Sequence, residues 1–343
     1  MVIAAAGVVA MLWWRGPAWS AVGDAFKAVE WHWVAIAVGL NLLSVLARAL
    51  AWHTVIKQAF EKPTPSFMLV FSAFSVGLFA NAVLPGRIGE LARVAVLDRH
   101  MPQRRAWARL LGTVFAHRVF DLVAVIGLII YVMLTAPIPD WAVTSLIVVV
   151  AVGVVLFTVA VMGARNDHFA GFEEGLGWVR KIIRLARYGL GVMREPAAAA
   201  LALFFQVLGW TFQLFAVWTA MRAFGIHEGL PAAGLVLVLM NVATIFPLWP
   251  GNVGLVQAAV ALPLFTSYGV AKARGIAFGF GLQAIEASVG VGVGLIFLAR
   301  EGLSIAMLRV MPDASQAEVL AEEPPDEPVR GADVERPRAR VPG

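Results

Sequence analysis

The sequence predicts an all-α, polytopic membrane protein made of two inverted repeats, each holding a re-entrant Pro-Gly hairpin. Three observations predict it. The chain is 60% apolar and 14% charged, with a mean hydropathy of +0.80, where a soluble domain carries about 25% charge. Its apolar residues fall in successive runs of about 20, the length that crosses a bilayer as a helix. Two apolar stretches are broken by the same P-G-x-x-G turn, at Pro85-Gly86 and at Pro250-Gly251, 165 residues apart. That offset also pairs Arg118 with Gln283 and Asp121 with Glu286, each at i, i+3 in a long apolar segment. Interrupted apolar segments at matching places are the mark of a transporter assembled from repeats.

Each element has its own signal. Residues 2–14 are apolar and end in Trp13-Trp14-Arg15, an interface pattern. They lack the basic start of a signal peptide and are short for a full crossing. Gly16-Pro17 opens a polar link to Trp31. A span over 33–56 carries Arg48, and residues 57–66 form a polar turn with two prolines. Residues 67–84 lead to the first Pro-Gly, after which helix resumes from Arg87 to Asp98. The next spans cover 110–134, with Arg118 and Asp121, and 141–162, with no charge. Pro196 opens a span to Ala220. Residues 230–248 and 253–266 flank the second Pro-Gly, and 275–299 form a glycine-rich last span suited to close helix contact.

Two segments differ in kind. Within 164–195, Phe172, Leu176, Val179, Ile182 and Ile183 alternate with Arg180, Lys181, Arg184 and Arg187, which reads as a basic amphipathic helix in the anionic inner interface. Residues 312–343 hold six prolines and no aromatic residue, which predicts a disordered tail. The expected domains are a membrane domain over 1–311, with repeat one at about 1–134 and repeat two at about 141–300, and a cytoplasmic tail over 312–343.

Charge sets the orientation. The tail has net charge −4, from eight acidic and four basic residues, so the rest of the chain carries +9 of the total +5. Anionic lipid and positive-inside loops account for this balance, and no nucleic-acid partner is needed. Residues 87–109 and 164–196 each hold six basic residues, while 135–140 hold none. Six full spans with two oppositely inserted hairpins then place both termini in the cytoplasm of a cell membrane. There is no cysteine, and the six histidines are scattered, so thiol chemistry and a metal site are not expected, nor any cofactor.

The candidate site residues follow from cost. Irregular backbone at membrane depth survives only where protein buries it or a polar cavity meets it. Glycines 86, 89, 251 and 254 permit broken helices, whose N-terminal amides are suited to an anion near the midplane. An ordinary cytoplasmic loop is the bland alternative, strongest at the first turn, where Arg87 and Glu90 stand. Arg118 and Asp121 lie inside a span, where a charge costs at least about 2.5 kcal/mol. They form either a structural ion pair or part of a substrate site. Glu286 is protonated, paired to an arginine of the other repeat, or proton-coupling, and its register with Asp121 predicts a shared central cavity. Arg48, near a span end, is read first as snorkelling to the interface. Arg93 and Glu90 line the hairpin mouth or face water.

The chain resembles the transmembrane domain of the lysylphosphatidylglycerol synthase/flippase family. The resemblance rests on Arg48-Ala-Leu-Ala-Trp52, Asn81-x3-Pro85-Gly86-Arg87-x-Gly89-Glu90-x2-Arg93, Arg118-x2-Asp121-Leu122 and Pro250-Gly251-x2-Gly254, and covers roughly residues 1–305. Where that family commonly has Glu after the second Pro-Gly, the nearest candidate is Gln257, and Gln283 stands where it commonly has Arg. The resemblance implies lipid translocation or binding, without the aminoacyl-transferase domain and so without lysine transfer. The implied ligand is an anionic phospholipid or a polyprenyl-phosphate-type lipid. The residues expected to hold it between the repeats are Arg48, Gly86, Arg87, Gly89, Glu90, Arg93, Arg118, Asp121, Pro250, Gly251, Asn252, Gly254, Gln257, Gln283 and Glu286. The alternatives are a non-transporting membrane subunit supporting a lipid or cell-envelope enzyme and, ranked lower, a membrane enzyme on a lipid-linked substrate; the protein partners considered are a second copy of the chain and a membrane enzyme.

Overall fold

The structure, a computed structural model, describes residues 18–60, 64–84, 88–101, 106–165, 195–245 and 252–302. Among these residues the chain is helical, with no strand. Helix α1 covers Trp19–Lys27, α2 Trp31–Ala59, α3 Phe67–Val83, α4 Gly89–Asp98 and α5 Ala106–Thr135. Helix α6 covers Asp140–Arg165, α7 Pro196–Ala223, α8 Leu230–Ala243, α9 Leu255–Tyr268 and α10 Lys272–Arg300. The residues 1–17, 303–343, both Pro-Gly turns and the basic amphipathic stretch at 166–194 lie outside the described residues.

Four helices are long and apolar enough to cross a membrane: Trp31–Ala59, Arg109–Thr135, Pro196–Ala223 and Lys272–Arg300. Each extends an expected span by a few residues, because helix runs on past the apolar core into the interface. The stretches Phe67–Val83, Ala142–Val155, Leu230–Ala243 and Leu255–Tyr268 are shorter apolar helices. Local chemistry sets several starts. Ser66 Oγ accepts from Leu69 N at 3.4 Å at the N-terminus of α3, and prolines open α7 and α8, where a missing N–H costs nothing.

Helix α1 corrects the expected polar link at 16–31. Val22 is buried, and the Phe26 ring meets Phe224 edge-on at 5.6 Å. Trp19 remains exposed. The segment is a short amphipathic helix with too few apolar residues to read as a span.

The longest helix contact runs between α2 and α7. Around it, α3 packs on α4 and α10, and α8 packs on α9 and α5. Small residues permit this closeness, since packing and not hydrophobic exclusion holds helices together in lipid. A methyl group on Gly209 of α7 would lie 2.8 Å from Arg48 Cγ on α2 and 3.4 Å from the Ser44 carbonyl. One on Gly294 of α10 would lie 2.8 Å from the Ser75 carbonyl on α3.

Polar contacts tie helix ends together at two places. At one, Ser72 Oγ donates to Glu301 Oε1 at 2.5 Å, and His100 Nε2 is 3.6 Å from Glu301 Oε2. The start of α3, the end of α4 and the end of α10 therefore meet. At the other, Glu30 N donates to the Ala223 carbonyl at 3.0 Å, and Arg274 Nη1 to the Gly225 carbonyl at 3.3 Å. There the starts of α2 and α10 meet the end of α7.

Candidate functional site

Polar residues gather where α2, α3, α4 and α5 converge. They line a cavity of about 110 Å³. Helix α2 contributes Arg48; α3 contributes Phe74, Gly77, Leu78 and Asn81; α4 contributes Glu90 and Arg93; α5 contributes His117, Arg118 and Asp121. Helical spacing explains the clustering, since Glu90 with Arg93 and Arg118 with Asp121 are i, i+3 neighbours on one helix face.

Arg118 is the centre of the network. Its Nε donates to Glu90 Oε1 at 2.8 Å, and its Nη2 closes on the same oxygen. Its Nη1 donates to Asp121 Oδ2 at 3.1 Å. Asp121 Oδ1 accepts from Trp210 Nε1 at 2.8 Å and from Gln206 Nε2, both on α7. The chain Glu90–Arg118–Asp121 thus fastens α4 to α5 and α5 to α7. Arg118 keeps 46% of its side-chain surface accessible, so the network opens to the cavity.

Arg48 does not snorkel. Its guanidinium lies over the Trp210 ring, 4.5 Å from the centroid, and its Nε is buried with no acceptor among the described residues. Its charge interacts with both Asp121 and Glu286. The backbone carbonyl of Arg48 is 3.2 Å from His117 Nε2. Arg93 neither faces water nor lines an open mouth. It is 4% exposed, stacked 4.7 Å from the Trp52 ring centroid and 5.6 Å from that of Phe74.

One N–H at each broken-helix start is taken from within. Gly89 N, at the start of α4, donates to Asn81 Oδ1 at 2.9 Å. Gly254 N, at the start of α9, donates to Gln257 Oε1 at 2.6 Å. The side chains of Asn81 and Gln257 thus take one N–H at each N-terminus expected to face an anion. Gly254 has φ of 94°, a conformation that suits glycine. Asn252 has φ of 45°, and its Nδ2 donates to the Ala243 carbonyl at 3.0 Å.

The second-half residues form a separate amide set. Gln257 Nε2 donates to Gln283 Oε1 at 2.7 Å, and Gln213 Nε2 donates to Glu286 Oε1 at 2.7 Å. Asn252, Gly254, Gln257, Gln283 and Glu286 do not line the cavity around Asp121. The expected shared cavity is corrected: Asp121 and Glu286 instead hold two levels of the same helix, α7, through Gln206 and Trp210 on one side and Gln213 on the other. The expected site residues Gly86, Arg87, Pro250 and Gly251 lie outside the described residues.

Sequence reading missed Gln206, Trp210, Gln213 and His117. A signal was present for three of them. Gln206-x3-Trp210-x2-Gln213 places polar groups on one face of an otherwise apolar span. His117 offered none beyond adjacency to Arg118. The family model described as lysylphosphatidylglycerol synthase TM region matches residues 1–294. No curated protein and no solved structure matches the chain.

Proposed function

The chain belongs to the lysylphosphatidylglycerol synthase TM region family, and from that premise we propose that this multi-pass membrane protein is a flippase-like lipid transporter that binds an anionic lipid head group. One observation carries the reading. Five charged side chains, Arg48, Glu90, Arg93, Arg118 and Asp121, surround a cavity inside apolar helices. Ionisable groups within membrane spans are costly and mark substrate pathways or relays. The proposed ligand is an anionic phospholipid or a polyprenyl-phosphate-type lipid, and no catalytic step is assigned to the chain.

We also infer two inverted repeats with re-entrant hairpins, both termini cytoplasmic, in the cell membrane. Support comes from the helix order, since α2–α5 and α7–α10 each run long, short, short, long. Support comes too from the exchange of partners, α3 on α10 and α8 on α5. Both ends of the α3–α4 segment meet Glu301, which fits a segment that enters and leaves on one side.

Reconstitution tests the function. Purified protein in vesicles that carry a fluorescent phosphatidylglycerol should expose the inner-leaflet pool to dithionite, which protein-free vesicles protect. Retained protection, with lipid still found by mass spectrometry of the purified protein, would overturn transport in favour of a non-transporting subunit.

A further inference from the structure

The three cavity arginines are not equivalent. Arg118 is already satisfied, held by Glu90 on one side and Asp121 on the other. Arg93 is in the opposite condition. Trp52, fully buried, and Phe74, 6% exposed, stack against its guanidinium and keep it from water. Its Nε and Nη2 are buried and find no acceptor among the described residues, although Glu90, one turn earlier on the same helix, lies near enough to interact with its charge. Arg48 Nε, also on the cavity lining, is buried without an acceptor among the described residues as well. A buried charge or donor left unpaired is expensive, so unpaired donors on residues that line one cavity define what that cavity takes.

We propose that Arg93, joined by Arg48, forms a phosphoryl-binding subsite, and that Arg118 is a brace that holds α4 and α5 in place without touching the ligand. The proposal rests on the lipid-binding reading above for the source of the phosphoryl group. Four features set its chemistry. The orphan donors come from two guanidinium groups on two helices, which suits a tetrahedral anion better than a planar carboxylate that one guanidinium fork satisfies. Among the described lining residues, three guanidinium groups against two carboxylates leave one positive charge, and this matches a phosphodiester monoanion. The volume of about 110 Å³ lies well below the roughly 300–1,000 Å³ of pockets that enclose a drug-sized ligand, so the subsite takes the phosphoryl group and leaves the rest of the head group outside. At the starts of α4 and α9 one N–H each is already taken, by Asn81 and Gln257, so the unpaired guanidinium groups are the donors assigned to the anion.

Calorimetric titration of the full chain in detergent tests the subsite with three probes: dihexanoyl phosphatidylglycerol, inorganic phosphate and hexanoate. The wild type should bind a phosphoryl probe and not hexanoate. Arg93→Lys keeps the charge and loses the fork, and should weaken that binding by about tenfold or more. Arg48→Lys, on another helix, should act in the same direction and serves as the second variant if Arg93→Lys fails to fold. Arg118→Lys should lower the melting temperature and change the affinity by less than the Arg93 variant does. Binding of phosphatidylglycerol alone assigns a lipid source to the subsite. Binding of inorganic phosphate alone supports the subsite and overturns the lipid reading. Phosphatidylglycerol binding that is unchanged in both Arg93→Lys and Arg48→Lys, or an Arg118 variant with the larger loss of affinity, overturns the subsite while the lipid reading stands.

Discussion

Gly77 on α3 and Gly89 at the start of α4 meet backbone to backbone. A methyl group on Gly77 would stand 2.7 Å from the Gly89 carbonyl oxygen, and one on Gly89 would overlap the Gly77 carbonyl. This closeness lets Asn81 reach the Gly89 N–H and sets α4 deep enough for Glu90 to meet Arg118. Gly89→Ala should therefore destabilise the protein by about 1–3 kcal/mol, the usual cost of overpacking. Gly127, which has no atom within 4 Å of an added methyl, is the control and should shift by no more than about 0.5 kcal/mol on change to Ala. Thermal unfolding in detergent reads both; equal melting temperatures would refute the contact.

Arg118 has two carboxylate partners, so losing one does not strand it. Asp121→Asn and Glu90→Gln should each cost about 1–3 kcal/mol. The double variant leaves Arg118 with neither charge and should cost more than the sum. Because Arg118 is open to the cavity, screening holds the excess to about 1 kcal/mol. Additive costs in a double-mutant cycle would mean that the two carboxylates do not share the arginine.

Glu286 accepts a hydrogen bond from the Gln213 amide. Glu286→Gln keeps an oxygen acceptor there and should stay within about 0.5 kcal/mol of wild type. Glu286→Leu removes the acceptor from a part-buried amide and should cost about 1–3 kcal/mol. A large loss in the glutamine variant would shift the weight to the carboxylate charge and its interaction with Arg48.

The inferred topology places Lys57, at the end of α2, and Pro137, between α5 and α6, on opposite sides of the membrane. The sequence has no cysteine, so single cysteines at these positions label against a clean background. An impermeant maleimide on sealed cells should modify position 137 and spare position 57. Modification of both from outside would defeat the re-entrant reading of the first hairpin.

The long helices were legible because bilayer thickness forces apolar runs, and those runs reappear as α2, α5, α7 and α10. The Arg118–Asp121 pair was legible because it is local, three residues apart on one helix. Its outer partners were not. Glu90 is 28 residues away, while Gln206 and Trp210 are 85 and 89 residues from Asp121. No periodicity links residues across such distances. Arg48 shows the same limit: near a span end, outward snorkelling and inward stacking look alike in sequence, and only the presence of Trp210 on α7 decides. Helix α1 was missed because its burial depends on Phe224, far along the chain.

Of the twelve tryptophans, Trp52 and Trp210 lie under the two cavity arginines with unpaired donors, and both are buried, at 0% and 6% exposed. A cation held against an indole perturbs its excited state, so these two rings are native optical reporters of the cavity. An anion that draws Arg93 or Arg48 away from its ring would change the emission of Trp52 or Trp210, and replacing either with Phe would tell which arginine moved, with no dye attached to the protein.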